Sequence, residues 1–234
     1  VHTGQHYDAA MNQQYFDALG IPQPDVNLEV GSGSHAVQTA EIMRRFEPVI
    51  DAIAPAAVLV VGDVNSTIAC AMVAAKKQLG VIHVEAGLRS YDRSMPEEIN
   101  RVLTDQIADL LFTTELDARE NLLREGIAPD RIHFVGNVMI DTLRQNLVKA
   151  IPAASTIAGA RRGGSQTSRA YGLLTLHRPS NVDNPDTLKS MLSVVRRMSE
   201  RLEIVFPVHP RTRERIERFG LNDLVQAPGI ILLP

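Results

Sequence analysis

From position 57 onward the sequence repeats one alternation, in which a short apolar, β-branched run gives way to a stretch of helical composition. The run at 57–62 (AVLVVG) is too short for a stable helix and is apolar on both faces, as a central parallel strand requires. A helix is predicted at 66–77, and the pair repeats as strand 81–85 with helix 97–108, strand 110–113 with helix 116–125, and strand 132–135 with helix 138–148. A right-handed, doubly wound parallel sheet with helices on both faces satisfies such βαβα alternation, so the fold class is α/β.

The texture changes at 153–169 (AASTIAGARRGGSQTSR), which is small, polar and Gly-rich and reads as a linker. Its Arg161, Arg162 and Arg169 fit a solvated connection better than a phosphate grip, because flexible cations fix geometry poorly. The alternation then restarts with strand 171–176, helix 185–201, strand 204–208, helix 211–219 and strand 230–233. The expected organisation is one nearly whole Rossmann-like domain over 1–152, the linker, and the start of a second such domain over 170–234. Position 1 is Val rather than Met and the last residues read as a buried strand, so the chain is read as a piece of something longer.

Charge and cysteine content narrow the function. With 24 Lys and Arg against 27 Asp and Glu and no dense basic block, the chain does not read as a nucleic-acid binder. Small anionic ligands remain open. The single cysteine, Cys70, forms no internal disulfide and offers no thiol pair for zinc or redox chemistry, which suits a reducing, cytoplasmic setting. The most apolar stretch, 52–62, is well short of the ~20 residues that span a bilayer. No two histidines stand at metal-ligand spacing, so no metal is expected. No Gly-x-Gly-x-x-Gly run follows a strand, and the glycines at 31–33 lack a P-loop lysine.

In an open parallel sheet, ligands bind beyond the carboxyl ends of the strands. The polar residues there are Asp63 after the first strand, Glu85 after the second, and His177-Arg178 and His209 in the second domain. The two acids are expected near one another at one edge, facing the two histidines across a cleft and dividing acid and base roles. Each has a structural alternative. Asp63, Asn65 or Ser66 fits the N-cap of the helix that follows, and Ser94 to Glu97 matches a capping box with Pro96 at the helix start. His177 and His209 are equally compatible with satisfied interior histidines.

Read together, TGQHYD at 3–8, VVGDVNST at 60–67, HVEAGLRS at 83–90 and MPEEINRVLTD at 95–105 resemble the non-hydrolysing UDP-N-acetylglucosamine 2-epimerases. So do the run at 112–124, VGN at 135–137, LLTLHRPSNVD at 173–183 and FPVHPRTR at 206–213. The resemblance implies two Rossmann-like domains of the glycosyltransferase-B type, the second incomplete in this chain. It implies Asp63, Glu85, Glu97 and His177 as catalytic residues, substrate contacts from Arg178 and His209, and a regulatory site involving Gln5, His6 and His209. Glu98 is expected to matter much less than Glu97. The HRPSN run stands where many bacterial members have HRRE, so the second arginine's contribution is not carried over.

The implied reaction interconverts UDP-N-acetylglucosamine and UDP-N-acetylmannosamine, for cell-surface polysaccharide synthesis, through elimination of UDP and its re-addition to a 2-acetamidoglucal. It needs no cofactor. The resemblance also implies a cytoplasmic, homodimeric full-length protein without nucleic-acid or membrane partners, and the 234-residue chain alone is not expected to turn over. Rival readings are a hydrolysing relative, a glycosyltransferase of the same fold, and a non-catalytic nucleotide-sugar-binding protein.

Overall fold

The computed structural model describes residues 1–5, 16–17, 19–160 and 170–233, which fall into two compact units, Val1–Gln145 and Asn146–Pro234. The first unit holds a four-stranded parallel sheet of β1 (Ala57–Val61), β2 (Gly80–Val84), β3 (Leu110–Thr113) and β4 (Ile132–Phe134), in that spatial order. Its register pairs Val61 with Val84 and Val84 with Phe112, so the first three strands end level. Parallel neighbours in sequence order require a crossover at every step. The crossovers contain α2 (Asn65–Lys76), α3 (Pro96–Ile107) and α4 (Leu116–Arg124), and the short helix α5 (Val138–Leu147) follows β4.

Ahead of the sheet runs α1 (His35–Ile53), to which the sequence reading assigned no element. Its local signals are sound: Ser34 caps it by accepting from the Val37 N–H, and Ile42, Phe46 and Ile50 are buried at helical spacing. Pro48, ordinarily an argument against a helix interior, stands inside it. These residues pack with Val58 and Val60 of β1, Val81 of β2, Leu111 of β3 and the alanine-rich face of α2. Small side chains at Ala69, Ala71 and Ala74, all fully buried, let α2 lie close to its neighbours. The prediction of a central strand at 57–62 needs correction. β1 ends the order of the described sheet, and Leu59 and Val61 on its second face are 57% and 50% exposed.

The second unit holds a parallel sheet of β5 (Tyr171–Leu173), β6 (Glu203–Pro207) and β7 (Ile230–Leu233). Between β5 and β6 lie α7 (Pro179–Val182) and α8 (Pro185–Met198), and between β6 and β7 lie α9 (Pro210–Arg218) and α10 (Asn222–Val225). Asn184 caps α8, and Val182, Leu188, Leu192, Phe206 and Ile216 form the core. The predicted linker differs from the structure over its first half. Alanine-rich 153–160 forms helix α6 (Ala153–Ala160), because Ile157 is buried against Val205 and Ile231. Arg161, Arg162 and Arg169 lie outside the described residues. Among the described residues no helix is long and apolar enough to cross a membrane.

Candidate active site

The level strand ends of the first unit bring Asp63 and Glu85 into adjacent loops. Gly62, with φ +71°, turns the chain out of β1, and a Cβ built there would stand 3.4 Å from the Glu85 carboxylate. Glu85 therefore lies over the peptide that carries Asp63. Its own backbone is left-handed, with φ +70°, an unusual conformation for a glutamate and one that costs about 1–2 kcal/mol. Among the described residues its carboxylate has no hydrogen-bond or ion-pair partner. The Asp63 carboxylate is held by the Arg101 guanidinium at 2.6 Å, and the Asp63 carbonyl accepts from the Asn100 side chain at 2.9 Å.

The helix-cap alternatives for these acids are not what the structure forms. At α2 the capping position is Val64, which offers no side-chain bond. Gln5 supplies the cap from afar, its side-chain oxygen accepting from the Ser66 N–H at 3.2 Å and the Ser66 hydroxyl at 2.6 Å. At α3 the capping position is Met95, and the Ser94 hydroxyl donates to Asp92 instead, so no capping box forms. Glu97, in the first turn of α3, is half-buried without a partner among the described residues, one helical turn before Arg101. Glu98, given little weight from the sequence, is 3% exposed and accepts from the Ser90 and Tyr91 N–H groups, both at 2.9 Å, and from the Ser90 hydroxyl at 3.0 Å. Burial works to raise its pKa, but these bonds and the Arg101 charge at 3.3 Å outweigh it and hold the carboxyl below the usual range.

Beneath the two acid-bearing loops lies a buried polar chain that the sequence reading missed. The His83 and Asp105 side chains are both fully buried; His83 Nε2 donates to the Gly62 carbonyl at 2.8 Å, and Nδ1 faces the Asp105 carboxylate at 2.7 Å. Asp105 accepts from the Gly87 N–H at 3.1 Å and pairs with Arg89 at 2.7 Å, and Arg89 reaches Glu125 at 2.6 Å. Burial disfavours the Arg89 charge, yet the bonds to Glu125 and Asp105 prevail and raise its pKa. A helical offset of four between Arg101 and Asp105 was legible, but which strand residues they meet was not.

In the second unit, His177 and His209 emerge beside one another at the ends of neighbouring strands. Their ring centroids are 5.8 Å apart, at the mouth of an open cleft of about 870 Å³ whose lining includes Thr175, Pro210 and Arg213. His209 caps α9, its Nδ1 accepting from the Arg211 N–H at 3.2 Å, which leaves Nε2 free to face a ligand. Both imidazoles are exposed, unlike interior histidines. Arg178 is exposed and has no side-chain partner among the described residues, whereas Arg211 and Arg215 are engaged by Asp183. His6 lies outside the described residues. Among the described residues no group of three or more potential metal ligands occurs.

The profile of a family described as UDP-N-acetylglucosamine 2-epimerase matches residues 1–232. A UDP-N-acetylglucosamine 2-epimerase of Methanococcus maripaludis is 42% identical over 233 residues, covering 99% of this chain and 63% of that protein. A UDP-2,3-diacetamido-2,3-dideoxy-D-glucuronate 2-epimerase of Pseudomonas aeruginosa is 43% identical over 229 residues, 97% of this chain and 62% of its own length. The crystal structure of the Methanocaldococcus jannaschii UDP-GlcNAc 2-epimerase in complex with UDP-GlcNAc and UDP matches with a TM-score of 0.82 at 38% identity. It covers all of this chain and 64% of that one. The chain thus spans slightly less than two thirds of the relatives it matches, and it belongs to the UDP-N-acetylglucosamine 2-epimerase family.

Proposed function

We propose that the full-length protein inverts C2 of a UDP-2-acetamido sugar, with UDP-N-acetylglucosamine and UDP-N-acetylmannosamine as the pair interconverted. The observation that carries this reading is the placement of Asp63 and Glu85 in touching loops at one sheet edge, within a chain whose family profile matches it nearly end to end. The C2 proton is not α to a carbonyl, so direct enolisation is closed. A carboxylate takes that proton, the C–H electron pair becomes the C1=C2 bond of a 2-acetamidoglucal, and the C1–O pair leaves with UDP. Re-addition of the UDP oxygen at C1, with a proton delivered to the opposite face of C2, completes the inversion. Asp63 and Glu85 serve as the acid and base, and Glu97 positions or shares protons. Asp63 is clamped by Arg101 and Glu85 is unclamped, which fits two carboxylates with unequal tasks. His177 and Arg178 stabilise charge growing on the departing pyrophosphate.

The protein is further read as a cytoplasmic homodimer whose product feeds polysaccharide synthesis, and sedimentation of the full-length protein tests the dimer. Incubation with UDP-N-acetylglucosamine in heavy water tests the chemistry: deuterium at sugar C2 of retained UDP-sugar is expected. Epimerised product without deuterium overturns the elimination route, and free sugar plus UDP marks a hydrolysing enzyme. The equally similar Pseudomonas aeruginosa relative favours a second substrate, the 2,3-diacetamido uronate its name states, and a parallel assay with that sugar nucleotide decides between them.

A further inference from the structure

We propose that the His83–Asp105 pair is a positioning device that fixes the two acid-bearing loops relative to one another. This inference rests on the reading of Asp63 and Glu85 as the acid/base pair. His83 holds the Gly62 carbonyl, one peptide before Asp63, while Asp105 holds the Gly87 N–H, two residues after Glu85. One buried contact of 2.7 Å joins these two grips. Both ring nitrogens of His83 face acceptors, so the link is attractive when a proton lies between Nδ1 and the carboxylate. No amide side chain of similar size reproduces both ends at this span.

The rest of the loop needs such a restraint. Glu85 is held in a left-handed conformation that its side chain disfavours, and unrestrained backbone would relax from it. The Ala86 N–H donates to the Phe112 carbonyl and the Asn121 side chain donates to the Gly87 carbonyl, so the loop is held from β3 and α4 as well. Asn100 and Arg101 of α3 hold Asp63 directly, and the His83–Asp105 contact adds a tie that runs from the peptide before Asp63 to the Gly87 amide after Glu85. Arg89 extends the pair by bridging Asp105 to Glu125, so the tie is anchored a second time from the far side.

The test is His83→Asn in the full-length protein, because asparagine keeps a group near the Nδ1 position for Asp105 and lacks one at Nε2 for Gly62. Per folded molecule, kcat should fall about 10²-fold with KM within about threefold, as misplacement of reacting groups does. The kinetic isotope effect of substrate deuterated at C2 should rise, since proton transfer becomes more fully rate-limiting. A merely structural role lowers the folded fraction alone; unchanged kcat and isotope effect per folded molecule overturn the inference. Should the variant fail to fold, hydrogen exchange at the Gly87 amide of the unmodified protein decides: core-like protection is expected, and exchange as fast as an open loop overturns it. Absence of epimerised product from the unmodified protein sinks the epimerase reading and, separately, leaves the Gly87 measurement to report on the tie.

Discussion

At the scale of single residues, the acids of the first unit differ in what surrounds them. Glu98 is bound on every side, so its expected effect is on stability: Glu98→Ala removes three accepted bonds and leaves the 90–91 backbone donors open, lowering stability by about 1–3 kcal/mol by denaturant titration. Asp63→Asn, Glu85→Gln and His177→Ala should instead each lower kcat about 10²-fold or more in the full-length protein with little change in melting temperature. Cys70 is a control of another kind. Burial pushes its thiol up to about 12, so it should resist thiol reagents in the native state at neutral pH and react only on unfolding. Asp63 and Glu85 were legible as strand-end residues because each closes a short, β-branched run within a βα alternation. Arg101 and His83 were not, because their importance lies in partners up to 38 positions away.

At the scale of elements, most strands and helices follow from periodicity, and the misreadings have particular causes. Helix α1 was obscured by Pro48, and α6 by glycines and arginines that diluted an alanine-rich segment just before them. Strand β1 is apolar on both faces, but its sequence does not say how many neighbours it has. The turn after β2 shows how tightly elements meet: a Cβ at Gly87 would come within 2.5 Å of the Ala118 carbonyl in α4, and φ there is +79°. Gly87→Ala must therefore push α4 away from the loop. It should destabilise by about 2 kcal/mol or more and lower activity beyond that loss, measured as kcat per folded molecule.

At the scale of the whole molecule, carboxylates with lowered pKa contribute to the acid sensitivity of each unit. Glu98 in the first and Asp183 in the second, the latter held down chiefly by Arg211, have folded values below their unfolded ones. Their contribution is complete above the unfolded pKa, near 4, and is lost as pH falls through the folded value. Stability should be nearly flat from pH 7 to 5 on account of these groups and drop below about pH 4, and urea midpoints measured across that range check the sign. Charge reversal at Arg101 or Arg211 removes a charge that lowers these pKa values, so it should reduce stability near neutral pH and shrink the drop below pH 4.

The left-handed glutamate at position 85 has a consequence for how such a protein changes under selection. Asparagine accepts that backbone conformation far more readily than glutamate, so Glu85→Asn should raise the melting temperature while extinguishing turnover. A search for thermostable variants that screens only for folded protein would drift toward asparagine or glycine at this codon. Homologues that have lost catalysis but kept the fold should therefore be recognisable there first, as lineages released from a conformational tension that only the chemistry maintains.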